Sequence, residues 1–110
     1  MPSHGTHKIA GSLYPFFWEY DPETLDYLQH ADIIIARLME RGHWAAMLWL
    51  QQTYSRDRLR AFLEARGKKL LPPRELNYWA LICDIPSKTR QRWVKHARES
   101  SDAWRTRHAH

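Results

Sequence analysis

Residues 31–54 read ADIIIARLMERGHWAAMLWLQQTY, and the fold class turns on how that stretch divides. Ala31, Ile34, Ile35 and Leu38 recur at the helical period, which predicts a helix running to Arg41. Gly42 fits the left-handed residue that closes such a helix. Trp44 to Tyr54 predicts a second helix that is apolar nearly all round. A helix without a polar face is expected at the buried centre of its domain.

Working toward the N-terminus, Asp21-Pro22-Glu23 marks a helix start: Asp21 can cap, Pro22 suits the first helical position, and Glu23 favours the positive end of the dipole. Leu13 to Tyr20 (LYPFFWEY) is dense in aromatics and broken by Pro15. It is expected as an extended aromatic arm, packed on the helical body or docked on a partner. Residues 1–12 have no periodicity and are expected as a flexible tail.

Toward the C-terminus, Ser55 can cap a helix carrying Leu59, Phe62 and Leu63 on one face, with Gly67 at its end. Pro72-Pro73 forbids helix until Pro73 itself opens the next one. Leu76, Trp79, Ala80 and Cys83 stripe that helix, which stops before Pro86. Ser87 can cap a last helix to about Glu99 with a thin face of Trp93, Val94 and Ala97, and residues 100–110 are expected to fray. No alternating strand pattern and no internal repeat is present. The expectation is an all-α single domain over residues 13–99, a compact bundle of about five short helices.

With 110 residues the chain has room for one modest core, to which six tryptophans contribute large apolar surfaces. Cys83 is the single cysteine, which excludes an intramolecular disulfide and a multi-cysteine zinc site and suits a reducing compartment. The first eleven residues lack the apolar run of a signal peptide, and Trp44 to Leu50 is too short to span a bilayer, so a cytoplasmic location and no membrane partner are expected.

Charge is divided unevenly. Residues 1–55 carry three basic side chains against six acidic, a net of −3, and residues 56–110 carry fourteen against six, a net of +8. A basic half points to a polyanion or an acidic protein surface; a solvated, solubilising surface is the plainer alternative. The candidate nucleic-acid contacts are Arg56, Arg58 and Arg60 at the start of one helix, Lys68 and Lys69 beside the connector, and Lys88, Arg90, Arg92 and Lys95 on the last helix. Trp44–Tyr54, the turn at Ser55 and Asp57–Arg66 also have helix-turn-helix proportions, although an ordinary helical hairpin reads the same way.

Catalytic motifs are sparse. Phosphate loops, dinucleotide fingerprints and nucleophile elbows are missing, and Cys83 falls on an apolar stripe where a packed thiol is expected. His4, His7, His108 and His110 lie near the termini and His30, His43 and His96 are scattered, so neither a metal nor a cofactor is expected. Arg90 with His96, and Arg37 with His43, have the spacing of the arginine–histidine pair found in some all-helical ribonucleases.

Four segments recur in order in one family: Phe17-Trp18-Glu19-Tyr20-Asp21-Pro22-Glu23, Ile33 to Gly42, Tyr54 with Arg58-Leu59, and Leu76 to Ile82 with Ile85-Pro86. Together they make residues 16–86 resemble a small bacterial domain family of unassigned function, often encoded beside abortive-infection toxins of the nucleotidyltransferase type. Ser55 departs from the glycine usual there. The resemblance implies a non-enzymatic, antitoxin-like protein that binds and neutralises a partner toxin. On that reading Phe17, Trp18, Tyr20 and Trp93 are the candidate partner contacts. The alternatives are a helical DNA- or RNA-binding regulator and a helical ribonuclease.

Overall fold

Ala31, Ile34, Ile35 and Leu38 are all buried on one side of an α-helix, α1 (Ala31–Arg41), as their spacing predicts. The computed structural model describes residues 7–108, with side chains for residues 7–100. His4, the side chain of His108, His110 and the first six residues of the expected tail lie outside that range. The chain divides into two compact units, Met1–Leu50 and Gln51–His110. Among the described residues the secondary structure is helical, with one isolated bridge between Lys8 and Asp26 and no strand.

In the first unit the aromatic arm is not extended. Gly11–Phe17 forms a 3-10 helix with Leu13 and Phe17 buried and Pro15 inside it. Proline's fixed φ fits a helical turn, and its missing N–H costs this short element a single bond. Within residues 7–12, Ile9 is buried, and Tyr27 N–H donates to the His7 carbonyl at 2.8 Å.

Pro22–Thr24 is a 3-10 turn whose Asp21 carboxylate accepts from the Glu23 amide at 3.2 Å, the expected cap. Between that turn and α1, Asp26 Oδ1 accepts from the amides of Leu28 (2.8 Å) and Gln29 (3.0 Å), and its own amide donates to His30 Nδ1 (2.9 Å). The Gln29 bond above all, then the Leu28 bond and the nearby His7, hold the Asp26 carboxyl below its ordinary range.

Gly42 closes α1, but at φ −70° and ψ 148° it is extended rather than left-handed. Space is the reason for the glycine: a Cβ there would lie 2.4 Å from the Leu38 carbonyl oxygen and 2.8 Å from the Ala46 Cβ. The next helix, α2 (Trp44–Thr53), is not the buried centre that its composition predicts. Only Ala46 and Leu50 are buried, whereas Trp44 is 69% and Leu48 39% exposed.

The second unit opens with α3 (Arg56–Phe62). Ser55 caps it through its hydroxyl, which accepts from the Arg58 amide at 3.0 Å. Ser55 itself is extended (φ −68°, ψ 158°), so this turn needs no glycine. The helical course continues past Gly67 through a π-helical stretch, Leu63–Gly67, into α4 (Lys68–Leu70). Gly67 is therefore not a helix end. It is buried at φ −57°, where a Cβ would meet Leu63 Cδ2 at 2.7 Å. The stop comes at Leu71 (φ −82°, ψ 142°), because the ring of the following proline disfavours a helical conformation there.

Pro73 opens α5 (Pro73–Ile82), which buries Leu76, Trp79 and Ala80. Its end is a Schellman closure: Ile85 N–H reaches Ala80 O (2.9 Å) and Asp84 N–H reaches Leu81 O (3.2 Å). Asp84 takes the left-handed position at φ 58°, usually a glycine's. The last helix, α6 (Ser87–His108), packs on α5 and runs nine residues beyond the expected end at Glu99. Among the described residues there are six α-helices, where about five were expected. No helix among the described residues is long and apolar enough to cross a membrane.

Candidate polyanion interface

Helix α6 sorts its side chains by angle. At about 100° per residue, Lys88, Arg92 and Lys95 fall within an arc of about 60°. All three are exposed, with Arg98 exposed on the flank. Trp93 and Val94 are buried on the opposite side. Among the described residues no ion pair ties Lys88, Arg92 or Lys95 to an acid, so their charge faces solvent.

Arg90 belongs to the inward face. Its Nη1 donates to Asn77 Oδ1 at 2.6 Å, and its Nε is buried without a partner. It therefore stands apart from the phosphate-facing group in which its sequence position places it. The start of α3 is also partly neutralised. Arg56 pairs with Asp84 at 2.7 Å, Arg60 lies 3.5 Å from Glu64 and reaches the Asp84 carbonyl at 3.4 Å, and Arg58 is half-buried. Two of the three arginines proposed to approach DNA thus hold the end of α5 or an acid one turn away.

Lys68 and Lys69 border a groove of about 440 Å³ between the Lys68–Pro73 segment and the His96–Ser100 turn of α6. The Lys68 ammonium lies 5.7 Å from the centre of the Trp93 ring, a cation–π distance. Trp93 is 9% exposed, so it supports Lys68 from beneath rather than offering itself to a partner. Leu70, between the lysines and the prolines, is 56% exposed. Its sequence neighbourhood reads only as a connector, because residues 68–73 and 96–100 meet only in the folded unit.

Of the aromatic residues nominated as partner contacts, Phe17 is fully buried, Trp18 is 75% exposed and Tyr20 40% exposed. Sequence reasoning missed what fixes this segment. Arg37, on α1, donates to Phe16 O (2.8 Å) and to both Glu19 carboxylate oxygens (2.6 and 2.5 Å), with its guanidinium about 6 Å from the rings of Phe17 and Tyr20. The Arg37 hydrogen bond holds the Glu19 carboxyl down at about 2. The available signal was an arginine set among the apolar residues of α1 and a lone glutamate in the aromatic run.

The ribonuclease-like pairs are not assembled. Arg37 is committed to Glu19, while His43 lies against Phe16 with ring centres 5.3 Å apart. Arg90 points inward and His96 lines the groove, about 120° apart around α6. Cys83 is buried, and desolvation raises its thiol to about 11. Among the described residues no group of three or more histidine, cysteine, aspartate or glutamate side chains is placed to hold a metal ion.

No curated protein and no solved structure matches the chain. The segment from Leu76 to Pro86 that entered the resemblance lies outside the stretch matched by a family, as do the groove and α6. The likeness that remains is to a family of unknown function, DUF6922, which residues 13–63 match.

Proposed function

We propose that this chain is a non-enzymatic, antitoxin-like binding protein that neutralises a partner toxin of the nucleotidyltransferase type through the basic surface of its second unit. The observation that carries this reading is the exposed cationic line Lys88, Arg92 and Lys95, which no acid among the described residues neutralises, with Lys68 and Lys69 at the groove. Such a surface complements a polyanion, and a nucleotidyltransferase site, which holds metal ions on carboxylates, is one. Co-expression with the product of the neighbouring gene tests it. The expected result is a co-eluting complex and relief of toxicity, weakened when Lys88, Arg92 and Lys95 are changed to glutamine. Persistent toxicity with no complex rejects it.

Nucleic-acid binding is the second reading, favoured by the same line of cations spaced along one helix. It predicts affinity for RNA or duplex DNA that falls steeply with salt, by close to one log unit per log unit of salt for each phosphate neutralised. If neither is retained on the protein at low salt, this reading is rejected.

A further inference from the structure

Leu70 poses a question that folding does not answer. The apolar anchor of its segment is Leu71, which is buried, yet Leu70 is 56% exposed between Lys69 and the groove. Burying a leucine side chain is favourable, and here that gain is left unrealised. Around Leu70 the groove has two characters. Leu71, Pro72, Pro73 and Ala97 make apolar walls, while Lys68, Lys69 and His96 supply the positive or protonatable groups. No acid lines it among the described residues.

We propose that this groove seats an acidic peptide segment of the partner, with an apolar side chain set against Leu70 and the Pro72–Pro73 rings and flanking carboxylates on Lys68 and Lys69. The volume of about 440 Å³ lies within the usual range for pockets that hold a ligand. Charge complementarity selects an acidic occupant, and the apolar walls select a peptide over a nucleic acid. A phosphodiester chain would use the ammonium groups but gain nothing from Leu70. The stacking platform that single-stranded nucleic acid favours is aromatic, whereas the only ring in the described lining besides the prolines is that of His96. Lys68 is already steadied over Trp93, which lowers the entropy lost when a carboxylate binds it.

This inference deepens the toxin-binding reading and rests on it, because the peptide would be a segment of that partner. The test uses the full chain and fluorescence anisotropy of a short labelled peptide of glutamates interrupted by leucines. Matched probes replace the glutamates by glutamine or the leucines by serine, and a single-stranded oligonucleotide of equal length is the fourth. The glutamate–leucine peptide is expected to bind best, and L70S and K69Q are each expected to weaken it about tenfold, or about 1.4 kcal/mol. Both positions are exposed, so the variants should fold, as circular dichroism melts will check. The proposal is overturned if the peptide does not bind, if the serine probe binds equally well, or if the oligonucleotide binds better and is indifferent to L70S. Co-expression separates the two levels. A toxin complex undiminished by L70S and K69Q rejects the groove and keeps the toxin reading; no complex with the unaltered chain rejects the toxin reading.

Discussion

Arg37 and Glu19 decide how the aromatic segment is held. The arginine satisfies a backbone carbonyl and both oxygens of a carboxylate, a bidentate geometry that lysine cannot reproduce. Glu19 has its folded value depressed from about 4.5 to about 2. Its contribution is therefore complete above the unfolded value and is lost as pH falls through that window. Thermal melts between pH 5 and pH 2 should show a loss of stability in the native chain that Glu19→Gln largely removes. Asp84 offers a second test. At φ 58° an alanine lacks the local hydrogen bonding that lets aspartate tolerate this conformation, so Asp84→Ala should cost about 1 kcal/mol in urea denaturation. Asp84→Gly should be close to neutral, because relief of the backbone offsets loss of the exposed Arg56 pair.

Among the elements, those announced by a cap or by a clear apolar period, as in α1, were legible in the sequence, and the one read from apolar composition alone was not. Asp21, Ser55 and Pro73 each start a helical element where the side-chain chemistry says they should. Helix α2 misled because an all-round apolar pattern cannot say which face is covered. Trp44→Ala should accordingly cost less than about 1 kcal/mol, whereas a buried tryptophan would cost about 3–5 kcal/mol. Gly67 misled because glycine marks a helix end or a crowded approach equally well. Here the crowding comes from Leu63 and Phe62. Gly67→Ala should lower stability by about 1 kcal/mol, the strain of overpacking exceeding the gain in helix propensity.

Across the molecule, the uneven charge was readable from the sequence and the groove was not. Counting charges needs only the order of residues, and the change of sign near residue 55 falls close to the boundary of the two units. Which cations are spent requires partners distant in sequence, such as Asp84 for Arg56 and Asn77 for Arg90. That is why nine candidate cations reduce to a smaller outward-facing set.

The buried Cys83 gives this chain an internal clock. With its thiol raised to about 11 and no other sulfhydryl in the sequence, a thiol reagent such as DTNB can react only when the surroundings of α5 open. The labelling rate, compared with that of the unfolded chain, reports how often the second unit breathes without any engineered probe. A ligand that binds only the closed form must slow that rate in proportion to its occupancy. One unmodified sulfur can thus score any occupant of the second unit, identified or not, by the time it keeps the protein shut.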